Sequence, residues 1–136
     1  MKIDGTCHCG EIAFEAELDL ANVGICHCTD CQQLSASAFR TIAVVEGETL
    51  KLLKGRPKEY VKIGESGNPR VQAFCENCGS AIYATDVGDR PKKYNIRVGT
   101  VRQRDQLVPK FECWHASALP WLPEICQTVK YDRNPS

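Results

Sequence analysis

"TCHCGEIAFEAEL", residues 6–18, runs a cysteine pair straight into a strand. Ile12, Phe14, Ala16 and Leu18 fall on one side, with Glu11, Glu15 and Glu17 on the other. A period of two marks a strand with one face in a core and one in water. Just before it, Cys7 and Cys9 are followed at once by Gly10. The same arrangement returns as "FCENCG", residues 74–79, where Cys75 and Cys78 precede Gly79. A residue without Cβ takes φ > 0 at little cost and brings backbone N–H groups close to sulfur. Cys7, Cys9, Cys75 and Cys78 therefore pair as one closed four-thiolate site, the set that structural zinc prefers. Such a site clips the amino-terminal strand to the middle of the chain and closes a long loop. Reduced core cysteines are the competing reading. A redox role for Cys75 and Cys78 lacks the βαβ context that usually accompanies one.

Working outward, most segments read as strands. "RTIAVV" (40–45), "LKLL" (50–53), "EYVKI" (59–63), "AIYAT" (81–85), "YNIRV" (94–98) and "KFECW" (110–114) are short and apolar or β-branched. Turn signals such as "VEGE", "ESGNP" and "VGDRP" punctuate them. No linker or low-complexity tract interrupts the chain, so residues 1–136 read as a single domain of all-β class with few short helices. "TDCQQLSAS" (29–37) is the helical exception. Thr29 with Gln32 three residues on matches a capping box. Cys31 then lies in the first helical turn, where free N–H groups and the positive helix end favour a thiolate.

Composition excludes several classes of function. The chain has 136 residues, 43% of them hydrophobic, a normal globular share. Lys and Arg total 17, as do Asp and Glu, so the formal net charge is zero. Nucleic acid as the main partner is excluded, because phosphate binding needs clustered basic excess. "RPKKYNIRVGTVRQR" (90–104) is locally basic but alternates with apolar residues, and reads as a solvated strand face. No run approaches the length of a membrane span. The start, "MKIDGTCHCG", has no apolar h-region, so the expected location is cytoplasmic. Nine cysteines is an odd count, and disulfides are unfavoured in the cytosol. Metal binding accounts for them better.

The third cluster is "ICHCTDCQQ" (25–33), with Cys26, Cys28 and Cys31 and no glycine after the last. Three thiolates with an open fourth position is the pattern of catalytic zinc. Cys113 or Cys126 is the alternative fourth ligand, although Cys113 shares a strand face with Phe111 and reads as a small buried hydrophobe. His8 and His27 sit between ligand cysteines and read either as facing solvent or as standing behind the ligands, rather than as ligands themselves. His27 is also a candidate proton shuttle, its ordinary pKa being near neutrality. Asp30 and His115 are the other proton-transfer candidates. Trp114 and Trp121 read either as pocket lining or as core packing. Arg40, Arg70 and Arg97 read as ordinary surface or strand arginines, with substrate carboxylates as the alternative partner.

Together, "GTCHCGEIAFE", "CHCTDCQQ", "FCENCGSAIY", "YNIRVGTV" and "FECWHASALPWL" occur in an order and spacing that resembles the glutathione-dependent formaldehyde-activating (Gfa-like) family. The resemblance implies folded antiparallel sheets of the β-tent type organised around zinc. It implies a structural zinc on Cys7, Cys9, Cys75 and Cys78, and a catalytic, labile zinc on Cys26, Cys28 and Cys31. It also implies a carbon–sulfur lyase acting on a small thiol, glutathione with formaldehyde giving S-hydroxymethylglutathione. The other reading is a zinc-stabilised protein-interaction module without catalysis; a thiol metal buffer or redox sensor is a third. Two departures stand out: Ser80 follows Gly79 where many relatives carry Thr, and Glu112 stands where formaldehyde-activating members often carry His.

Overall fold

The computed structural model describes residues 1–64 and 67–135. Among the described residues, ten strands form two sheets. β1 (Lys2–Thr6), β2 (Ala13–Glu17) and β5 (Lys51–Lys54) make a small sheet in the order β1–β2–β5. The larger sheet is built from β3 (Val23–Cys26), β4 (Arg40–Glu46), β6 (Lys58–Ile63), β7 (Pro69–Phe74), β8 (Ala81–Asp86), β9 (Lys93–Arg97) and β10 (Phe111–Cys113). Its order is β10–β3–β4–β9–β8–β7–β6. One helix, α1 (Thr29–Ser35), and several single 3-10 turns complete the chain.

The opening strand behaves as its alternation predicts: Ile12, Phe14, Ala16 and Leu18 are all buried. They meet the larger sheet in one hydrophobic cluster that also takes in Ile3, Val23, Ala43, Val45, Ala73, Tyr83 and Ile96. Val23, Ala43, Ile96, Tyr83 and Ala73 are register partners in succession from β3 to β7. Directly opposed residues point to the same side of a sheet. That row is therefore the inner face. The opposite face carries Cys26, Arg40, Arg97, Gln72, Tyr60, Arg70 and Lys62 by the same register. It is partly covered by α1, whose Asp30 pairs with Lys62 at 2.9 Å.

Three expectations need correction. The sheets are not wholly antiparallel, because β10 pairs with β3 in parallel. Parallel neighbours need a long crossover; here the chain returns by way of 3-10 turns at Val98–Thr100 and Arg104–Gln106. The basic stretch 90–104 is a solvated face at Arg90, Lys93 and Arg102, but Arg97 is only 8% exposed. Arg40 is likewise buried, at 5%. Both lie in central strands on the face that α1 covers, so neither is a surface arginine. The turn read at "ESGNP" includes residues 65 and 66, outside the described residues.

The small sheet meets the chain that follows β9 at Gly5 in β1, which bridges to Val101. A Cβ there would sit 2.2 Å from the Thr100 carbonyl oxygen and 2.6 Å from the Phe14 ring. Neither neighbour yields cheaply, since one is backbone and the other is fixed in the core. Gly5→Ala should lower stability by about 1–3 kcal/mol, the usual cost of overpacking. Urea denaturation should show a lower midpoint with an unchanged m-value.

Candidate functional site

The first cluster is made by two similar turns. Gly10 N–H donates to the Cys7 carbonyl at 3.2 Å, and Gly79 N–H donates to that of Cys75 at 2.8 Å. Gly10 has φ 82° and Gly79 φ 80°, the left-handed conformation the sequence argument required of both. The Ile12 N–H donates to Cys7 Sγ at 3.3 Å. Cys7 and Cys75 are buried and belong to the hydrophobic cluster, while Cys9 is exposed and Cys78 half-buried. All four sulfurs lie within 4.8 Å of one another. Cys7–Cys9 and Cys9–Cys75 are 3.6 and 3.7 Å apart. A tetrahedron with Zn–S of about 2.3 Å has edges of about 3.8 Å, so the donor set fits a soft dication.

Ser80 joins the two turns. Its hydroxyl accepts from the His8 N–H at 3.0 Å and lies 3.3 Å from Cys78 Sγ. That contact, with the Ser80 backbone, holds the Cys78 thiol down at about 5. The sequence reading noted Ser80 after Gly79 only as a departure from relatives and gave it no role.

The second cluster forms where β3 runs into α1. Cys26 ends the strand, Cys28 precedes the helix, and Cys31 stands in the first turn. Their sulfurs also lie within 4.8 Å of one another, and among the described residues no fourth His, Cys, Asp or Glu joins them. The helix is where the sequence placed it, but its cap is different. Cys28 is the N-cap, and its sulfur accepts the Cys31 N–H at 3.3 Å. Gln32 does not close a capping box with Thr29. Its side-chain amide donates to the carbonyls of His27 (2.9 Å) and Ser117 (3.0 Å), tying the helix to the chain after β10.

Cys26 and Cys31 titrate as one pair. A hydrogen bond from the Cys31 thiol, above all, pulls Cys26 down to about 5. Cys31 is pushed up, because it donates to Cys26 and is desolvated. Like charges this close do not ionise together without a countercharge. A dication supplies that countercharge, and this donor set of three clustered sulfurs fits one with a position to spare.

The remaining candidates separate in space. A cavity of about 120 Å³ is lined by Cys28, Thr29, Asp30, Lys62, Gly64, Arg70 and Trp114. Trp114 holds a left-handed φ of 55°, uncommon for a bulky side chain, and stands at this cavity beside Cys28. His27 is 2% exposed, which corrects its solvent-facing reading. Its Nε2 lies 2.6 Å from Glu112 Oε1, and its ring meets those of Phe39 and His115 edge-on. Glu112, the departure noted in the tail, is thus the partner of a buried histidine. Neither His27 nor His115 lines the cavity. His8 is exposed. Cys113 is exposed on an edge strand of three residues, so it is not a buried hydrophobe; it sits opposite Cys26 in register but outside the cluster. Cys126 is exposed in the C-terminal turn, as is Trp121.

Two cysteine clusters, each fit for a soft metal ion, mounted on a mostly β framework, define a thiolate-rich protein with one closed and one open donor set. The sequence model of the family described as glutathione-dependent formaldehyde-activating enzyme matches residues 2–117, and the chain belongs to that family. A crystal structure of a Rhodobacter sphaeroides protein superposes with a TM-score of 0.60 at 23% identity, covering 79% of this chain and 98% of that one. At that identity the likeness concerns the fold. No curated protein sequence matches this chain. Among the described residues, no helix is long and apolar enough to cross a membrane.

Proposed function

We propose that this protein is a carbon–sulfur lyase of β-tent fold that activates a small thiol and joins it to an aldehyde, or runs the reverse cleavage. The observation that carries the reading is the cluster of Cys26, Cys28 and Cys31, three sulfurs with no fourth ligand among the described residues, beside a cavity lined by Cys28. Cys7, Cys9, Cys75 and Cys78 would hold a structural zinc ion, and Cys26, Cys28 and Cys31 a catalytic one. When bound at three thiolates, zinc favours a fourth sulfur ligand over hydroxide and lowers the pKa of a thiol.

The chain's own residues do the rest. Gln32 and the Cys28 cap hold the three sulfurs in place. Trp114 walls the cavity with an apolar ring. Of the three proton-transfer candidates, Asp30 alone lines that cavity, paired with Lys62. The thiol S–H bond breaks, with its proton passing to the Asp30 carboxylate. The sulfur electron pair forms the new S–C bond at the aldehyde carbon as the C=O π bond opens, and the oxygen takes that same proton back from Asp30 to become a hydroxyl. With glutathione and formaldehyde the product is S-hydroxymethylglutathione. NMR of that pair with and without the zinc-loaded protein tests the reading. A rate above the spontaneous one is expected; an unchanged rate overturns it for this substrate pair.

A further inference from the structure

Arg40 and Arg97 are both more than nine-tenths buried. Neither has an ion-pair partner among the described residues. Arg40 Nη1 (3.2 Å) and Arg97 Nη2 (3.0 Å) donate to the same atom, Oε1 of Gln72. Among the described residues, Arg97 Nε has no hydrogen-bond partner. Two buried cations thus share one neutral oxygen. Buried charges are costly unless paired. Cys31 and Cys26 offset part of that cost for Arg97. No carboxylate among the described residues pairs with either arginine, so a bound anion would still find both available. The cost is visible at Arg97, which burial and then Arg40 pull down to about 9.

There is room for that anion. Both arginines line a cavity of about 290 Å³, together with Gln72, Tyr60, Phe74 and Tyr83, and both line a second cavity of about 260 Å³. The guanidinium fork matches a carboxylate with two parallel N–H···O bonds. The aromatic walls suit the carbon body attached to it. The position is equally telling. Arg40 faces Cys26 directly across the β3–β4 ladder, where opposed Cβ atoms are about 4.5–5.5 Å apart. The arginine pocket and the sulfur cluster therefore share one face of the sheet, on neighbouring strands.

We propose that this cavity is a carboxylate-binding site, and that it receives the acid group of the same molecule whose thiol meets Cys26, Cys28 and Cys31. The substrate class is then a mercapto-carboxylate rather than a thiol with a neutral tail. The second half rests on the thiol-activation reading; the first half does not.

Chemical-shift titration of the full zinc-loaded chain separates the two. The probes are propionate, propionamide, 2-mercaptoethanol and 3-mercaptopropionate. Propionate should bind and propionamide should not, with shifts at Arg40, Arg97 and Gln72. Arg97→Met should weaken propionate by about tenfold or more. Equal binding of propionate and propionamide to the wild type overturns the acid site, and this comparison stands even where Arg97→Met does not fold. Equal propionate affinity in a folded Arg97→Met chain also overturns it. 3-Mercaptopropionate should bind about tenfold or more tightly than either propionate or 2-mercaptoethanol. If it binds no better than propionate while 2-mercaptoethanol still binds, the shared-molecule half falls and the thiol reading stands; if 2-mercaptoethanol does not bind either, the thiol reading falls with it, and the acid site stands in both cases.

Discussion

Cys78→Ser should produce a chain that no longer unfolds cooperatively. Cys78 is one of four sulfurs that join two turns 66 residues apart, measured from Cys9 to Cys75. One turn leads into β2 of the small sheet, and the other links β7 to β8 of the large one. Cys7 and Cys75 are embedded in the shared core, so the clip and the core form one unit. Structural zinc sites contribute about 10–16 kcal/mol in small peptides, comparable to the whole stability of ordinary domains, about 5–15 kcal/mol. A serine oxygen replaces a soft thiolate poorly at such an ion. Circular dichroism should show a lost or much lowered melting transition, with less than the full zinc complement by elemental analysis. A strong chelator should do the same to the wild type. A melting curve unchanged by Cys78→Ser would refute the pairing of the two turns.

Cys28→Ser should have the opposite signature: a folded chain with no lyase activity. Cys28 has two roles, one as a cluster sulfur and one as the N-cap of α1. Serine is a good N-cap, so the second role survives the substitution. The melting temperature should stay within roughly 5 °C of wild type. Zinc content should fall by about half, since the closed set still binds its ion while the open set loses one of three ligands. The acceleration of the glutathione–formaldehyde reaction should disappear. Cys28→Ala removes the cap as well and should cost a further ~1 kcal/mol, read by denaturant unfolding. Global unfolding of Cys28→Ser would instead make the second cluster structural. Two equally inert zinc ions in the wild type, with no catalysis, would point to a zinc-shaped interaction module.

The corrections show where local signals stop. The N-terminus of α1 was legible to within a residue, but its cap was not. Capping rules favour oxygen at Thr29, whereas the backbone turn required by Cys26 and Cys28 leaves a sulfur in that place. The Gln32 amide was free to leave the box because Ser117, 85 residues away, supplies a carbonyl.

Sequence alone determined the alternation of β2, most of the strands, the helix at residue 29 and the division of seven cysteines into a set of four and a set of three. These depend on spacing within a few residues, on turn chemistry and on the absence of Cβ at Gly10 and Gly79, all local quantities. Tertiary structure decided what lies opposite what. The parallel docking of β10 buries His27 against Glu112. The registers of β4, β7 and β9 gather Arg40, Gln72 and Arg97 on one covered face beside Cys26. An arginine in a strand pattern looks the same whether its face meets water or a helix. Its burial, and with it the anion site proposed above, depends on which distant segment comes to cover it.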